Sequence, residues 1–233
     1  MSNFFHKIKL SNDTSRIGKN FFFLTLLQSA NFLLPLLTLP YLVRVLGANL
    51  FGLVMFAQTF ALFFNVLVDF GFNLSATREV SIHRKDNTKL SEIFSSVMFI
   101  KFLLIILSVF LITLIVAFIP RFQMDWKIYY LSFGVVIGQA LFPIWYFQGI
   151  EKMKIITYIN ILAKTIFTLL IFLVIKEDSD YLLVPIINAA GFIIAGIIGL
   201  SIALKNITIL KPKRVESLKL FQDSSKLFIS NLS

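Results

Sequence analysis

Apolar residues in this chain come in long unbroken runs, not in the alternation of strands or the narrow stripes of soluble helices. Six stretches are long and apolar enough to cross a bilayer, which takes about 20 residues as a helix. They cover roughly 20–42, 51–70, 93–119, 128–148, 155–175 and 181–204. Runs of this length exclude the alternating strands of a membrane barrel. A polar leader, residues 1–19, precedes the first run. That run is too long for the core of a signal peptide and no small-residue cleavage site follows it, so it reads as an uncleaved first span. The pattern therefore predicts a cytoplasmic leader (1–19), a six-helix transmembrane lobe (20–204) and a basic linker (205–233).

Polar residues inside the runs are regularly spaced. In the first, Gln28, Asn31, Pro35 and Thr38 recur at steps of three, four and three. In the second, Gln58, Asn65 and Asp69 follow steps of seven and four, and in the fifth Thr157, Asn160, Lys164 and Thr168 step by three, four and four. Each series lies on one helix face. Polar groups in hydrocarbon face a bundle interior or a watery cavity. Isolated Asn and Thr are commonly glue between helices, and in span six Gly191, Ala195 and Gly199 form a small face suited to close packing. A lysine is harder to explain that way, because a charge at mid-span costs about 2.5–3.5 kcal/mol on insertion scales. Lys164 is central in its span and points to a cavity, whereas Lys101, nearer the end of its span, could equally snorkel. With Arg44 and Arg78 close to span ends, these cations predict a net-positive lumen that attracts an anion such as phosphate or pyrophosphate. Asp69 could pair with one of the cations or take a coupling ion.

Composition supports a bilayer protein. The 233 residues are 58% hydrophobic and 15% charged, with 27 Phe and a mean hydropathy of +0.86, against about 45–50% apolar and 25% charged in soluble domains. The formal charge of +10 is distributed by topology. Sixteen Lys and Arg fall in the leader, in the connections after spans two and four, and after span six. Only four, Arg44, Arg121, Lys127 and Lys176, fall on the opposite side. The positive-inside rule then puts both termini in the cytoplasm and removes the case for nucleic acid. Trp126, Tyr129 and Tyr130 would sit in an outer aromatic belt, Trp145 and Tyr146 in an inner one. The sequons at Asn12, Asn73 and Asn206 fall on the cytoplasmic side, where glycosylation is not expected.

Little else in the chain suggests chemistry. It has no cysteine, and its two histidines, His6 and His83, are far apart. No catalytic residue, metal site or cofactor is expected. The tripeptide Asp69-Phe70-Gly71 matches the magnesium motif of protein kinases, but the glycine-rich and catalytic loops are missing. An acidic cluster, Glu177, Asp178 and Asp180, is the single candidate for enzyme chemistry on a short outer loop, and solvation explains it equally well.

Three segments carry a resemblance: PYLVRVLGANLFGLVMFAQ (40–58), DFGFNLSATREVS (69–81) and PIWYFQGIEKMKIITYINILAK (143–164). Together they resemble the O-antigen flippases of the Wzx/RfbX type, within the multidrug/oligosaccharidyl-lipid/polysaccharide flippase superfamily. The resemblance implies an all-α polytopic membrane protein whose six helices form one lobe of a two-lobed transporter. It implies an undecaprenyl-pyrophosphate-linked O-antigen unit as substrate, moved across the bacterial inner membrane for lipopolysaccharide biosynthesis, and a polysaccharide polymerase machinery as partner. On this chain the implied substrate-binding positions are Arg44, Arg78, Lys101, Lys164, Asn31 and Asn160, with Asp69 for a coupling ion and Arg78 for the pyrophosphate. Members have about twelve spans. Residues 217–233 resemble the segment that opens the second lobe, so the chain is expected to be a fragment or a truncated product. The alternatives are a cation-coupled drug exporter of the same architecture, which would favour an acidic cavity, and an inert half-transporter.

Overall fold

The computed structural model describes the backbone of residues 2–211, 220–222 and 224–225, with side chains from Gly18 onward except that of Asn20. The predicted start of a seventh span, in residues 217–233, falls largely outside the described residues. Every regular element among the described residues is helical. Five stretches are long and apolar enough to cross a membrane: Phe21–Ile82, Asn87–Phe118, Trp126–Gly149, Met153–Val174 and Asp178–Leu204. The protein is an all-α polytopic membrane protein.

Helix α1 runs Ser2–Asp69, through the polar leader and both of the first two predicted spans. Its one interruption is Gly47, with φ 73° and ψ 166°, a backbone region that is essentially glycine-only. Neighbouring contacts give the directions of the two arms. Before Gly47, Thr157 Oγ1 donates to the Phe23 carbonyl (3.0 Å) and Tyr41 Oη donates to the Ile175 carbonyl (2.7 Å), so this arm runs parallel to α7 (Met153–Val174). After Gly47, Phe56 and Phe60 meet Tyr129 while Phe64 meets Phe133, so the second arm runs parallel to α5 (Trp126–Leu141). Helix α8 (Leu183–Leu204) also runs parallel to α5, whose Gly134 and Gly138 meet its Ala189 and Phe192. It follows α7 after one short 3-10 turn, Asp178–Leu182, and returns antiparallel to it. The two arms of α1 are therefore antiparallel, and the chain reverses at Gly47. A Cβ at Gly47 would meet nothing within 4 Å, so the demand there is purely conformational. Gly47→Ala should cost about 1–3 kcal/mol of stability, read as a lower unfolding temperature in detergent. Gly52→Ala, at an equally open but helical position, should not be destabilised; equal behaviour of the two would refute the account.

After Asp69 the chain turns through two left-handed residues, Phe70 (φ 46°) and Gly71 (φ 80°), into α2 (Phe72–Ile82). Helix α3 (Asn87–Phe118) starts on an N-cap, Asp86, whose Oδ1 accepts from the Lys89 amide at 3.0 Å. That bond satisfies one of the free amides of the first turn. A short α4 (Pro120–Met124) leads to α5. The predicted span 128–148 is broken at Phe142–Pro143, and α6 (Ile144–Gly149) follows. Proline has no N–H to donate and disfavours helical geometry in the residue before it. Phe142 accordingly takes extended angles, φ −84° and ψ 107°.

Close packing of α8 uses a different face from the one the sequence suggested. A methyl on Gly138 would strike the backbone of Phe192 and Ile193, one on Gly196 the Gly138 carbonyl, and one on Gly199 the Phe142 ring. Ala189, Gly196 and Gly199, all buried, thus form the seam against α5 and its C-cap Phe142. Gly191 and Ala195 instead line a groove of about 160 Å³ against α7. Only Gly199 of the predicted triplet belongs to the tight seam.

Candidate functional site

The polar stripes of three predicted spans meet at one cavity of about 240 Å³. It is lined by Pro35 and Thr38 from the first arm of α1, Gln58 from the second, Lys164 and Thr168 from α7, and Asn188 from α8, with apolar walls between them. The reversal at Gly47 is what brings Thr38 and Gln58, on opposite arms, to the same space. Proline 35 adds a polar feature of its own. It has no N–H for the Asn31 carbonyl one turn earlier, while the Thr38 hydroxyl donates to the Pro35 carbonyl at 3.1 Å.

Lys164 Nζ donates to Asn31 Oδ1 at 2.6 Å, and Asn31 Nδ2 donates to Gln28 Oε1 at 3.3 Å. An amide satisfies one donor of the ammonium but does not neutralise it. No carboxylate lines the cavity, and Lys164 belongs to no ion pair among the described residues. The cavity therefore carries one full positive charge beside amide and hydroxyl groups that can exchange hydrogen bonds. Its volume is below the ~300–1,000 Å³ of pockets that enclose a drug-sized ligand. It suits the charged or hydroxyl-bearing part of a larger molecule.

Lys101 is buried, and its Nζ contacts Asp69 Oδ1 at 3.1 Å. Of the two roles considered for Asp69, this geometry supplies the pairing. Unlike Lys164, this lysine has its charge matched. Asn160 lies one turn before Lys164 and donates to the Ile156 carbonyl at 2.9 Å. Arg44, three residues before Gly47, and Arg78, on α2, both have exposed side chains. Neither lines the cavity. Of the predicted site residues, the structure thus brings Lys164 to Asn31 and Lys101 to Asp69, and leaves Arg44, Arg78 and Asn160 apart. Asn188 went unnoticed, although an amide within the apolar run of span six was a visible signal. In the acidic cluster, Asp180 Oδ2 accepts from the Lys176 and Glu177 amides at 2.8 and 3.2 Å, and Glu177 completes the capping box. These contacts are caps of the 3-10 turn.

Fold and cavity define a multi-pass helical membrane protein with a polar, cationic recess among its spans. The chain belongs to the polysaccharide biosynthesis protein family, whose profile matches residues 17–233. It is 35% identical over 186 residues to a protein of Escherichia coli (strain K12) named "Putative O-antigen transporter", an alignment covering 80% of this chain and 45% of that protein. A Shigella dysenteriae protein of the same name is 29% identical over 188 residues, covering 81% of this chain and 47% of the relative. The chain thus spans about half the length of the curated relatives it matches. No solved structure matches it at a significant level.

Proposed function

We propose that the chain forms one lobe of a flippase that carries undecaprenyl-pyrophosphate-linked O-antigen or oligosaccharide units across the bacterial inner membrane, with its N-terminus in the cytoplasm. The observation that carries this reading is the unmatched Lys164 in a recess otherwise furnished with neutral hydrogen-bonding groups. A pyrophosphate supplies the missing negative charge, and sugar hydroxyls match Thr38, Gln58 and Asn188. The similarity to proteins named as O-antigen transporters points to the same cargo. A drug exporter for cations is disfavoured, because the cavity would repel its substrate.

In this reading Lys164 and Asn31 form the anion subsite, Asn160 extends the same helix face, and Arg44 and Arg78 serve as exposed cations at the two ends of the passage. Asp69 and Lys101 form the charge pair whose opening would admit a coupling ion. Deleting the gene that encodes this chain should leave lipid-linked oligosaccharide on the cytoplasmic leaflet and strip O-antigen from the cell surface. A clean deletion strain with normal surface polysaccharide would overturn the proposal.

A further inference from the structure

The segment that follows α8 is fastened to the body of the protein at two places. The first lies along α3, where the amides of Thr208 and Leu210 donate to the hydroxyls of Ser91 (3.2 Å) and Ser95 (2.9 Å). Amides two residues apart in extended chain thereby match hydroxyls one turn apart on a helix, and Ile207, just before them, is buried. The second lies at the turn between α1 and α2. Phe221 stacks on Phe70 with ring centroids 4.6 Å apart and planes 17° from parallel. Ser224 Oγ lies 2.6 Å from Ser75 Oγ, both residues being buried, and Leu220 is 2% exposed.

Phe70 is an unusual place for a contact of this kind. It is a bulky residue with φ 46°, a left-handed conformation that costs free energy unless its surroundings impose it. It also directly follows Asp69, the last residue of α1, whose carboxylate must stay within reach of Lys101 Nζ. If Phe70 relaxed to ordinary helical angles, α1 would continue past Asp69 and α2 would leave in another direction. Phe70 also touches Phe72, a neighbour within the same turn, whereas Phe221 reaches it from outside the turn.

We propose that Leu220, Phe221 and Ser224 form a positioning latch, which holds Phe70 in its left-handed conformation and thereby keeps Asp69 against Lys101. The latch couples the course of the chain beyond α8 to the charge pair between α1 and α3. Asp69 and Lys101 are the pair; Phe221 and Ser224 act on it only through the turn. A segment leaving the latch therefore opens the pair, and one returning to it closes the pair. The inference draws on the flippase reading for its consequence in transport, but the geometry it asserts is independent of cargo.

Two measurements on the full chain in native membranes test it, and neither requires transport. The first is labelling of Asp69 by a hydrophobic carbodiimide, mapped by mass spectrometry. Phe221→Ala should raise the labelling rate by roughly 2- to 12-fold, the range that corresponds to loss of one aromatic pair, and Phe221→Tyr should restore the original rate. Wild-type labelling in the Ala variant, or failure of Tyr to rescue, would overturn the latch. The second exploits the absence of cysteine from the chain. With Ser75→Cys and Ser224→Cys, catalysed oxidation should form a disulfide and return Asp69 labelling to its lowest value. Ser81→Cys paired with Ser224→Cys, using an exposed position on α2, should not cross-link. Equal cross-linking of the two pairs would also overturn it. Should the deletion strain keep its O-antigen while both measurements come out as expected, the flippase reading fails and the latch stands.

Discussion

Replacing Lys164 by Gln should lower surface O-antigen about 10- to 150-fold at equal protein level, the range set by losing a hydrogen bond to a charged group. Lys164→Arg should retain most of the function, and Lys164→Glu should retain least. The logic lies in what Gln preserves. Its amide, one bond shorter than the lysine, keeps a donor on the side of Asn31 Oδ1, which is 2.6 Å from the ammonium, and the bonds of Thr157 and Tyr41 still join this arm of α1 to the α7 segment. What disappears is a charge that no carboxylate in the cavity matches. A loss of transport in a well-folded Gln variant therefore reports an anion that needs that charge. Normal O-antigen display from Lys164→Gln would show that the recess is a packing feature and that the cargo binds elsewhere. The assay is gel analysis of lipopolysaccharide from cells carrying the altered gene, with immunoblotting to equalise expression.

The second large effect concerns folding. Asp69→Ala should destabilise the protein by about 3 kcal/mol, because removing one partner of a buried pair leaves the other charged and unpaired. The two single substitutions should differ. The Lys101 side chain is 6% exposed and that of Asp69 24%. Asp69→Ala strands a lysine with almost no access to water, whereas Lys101→Met strands a carboxylate that keeps some. The first should be the worse of the two. Changing both, with Asp69→Leu and Lys101→Met, should recover most of the loss, since an apolar pair of similar volume replaces a buried ion pair at little cost. Thermal unfolding of the purified protein in detergent measures all three. Additive losses in the double variant would mean that the two side chains do not act on each other.

Much of the architecture could be read directly from hydropathy, because bilayer thickness imposes a length on every span. The convergence of Thr38, Gln58, Lys164 and Thr168 could be anticipated in kind, since the 3.6-residue period places each series on one face and hydrocarbon tolerates such faces only inward. Which series meets which was not readable, because spacing within a helix says nothing of its rotation against the next. Asp69 shows the same limit: its location at a helix end was evident, its choice of Lys101 over other cations was not. The seam of α8 illustrates a different one. Several small residues lie in that helix at overlapping spacings, and only the partner surface of α5 selects Ala189, Gly196 and Gly199. The docking of residues 207–210 and of Phe221 and Ser224 was invisible for a third reason. Serines such as Ser91 and Ser95 read as ordinary helix residues until an external amide meets them.

Gly47 gives this arrangement a mechanical property. Asn31 lies 16 residues before it, or about 24 Å along the helix at 1.5 Å per residue. A change of ~5° in the angle between the two arms would move Asn31 by about 2 Å at that radius. That displacement is comparable with the 2.6 Å length of its bond to Lys164. One backbone residue with open space around it thus sits at the pivot of a long arm, and the angle it sets, held by the bonds of Phe23 and Tyr41 to the α7 segment, fixes whether Asn31 reaches the lysine.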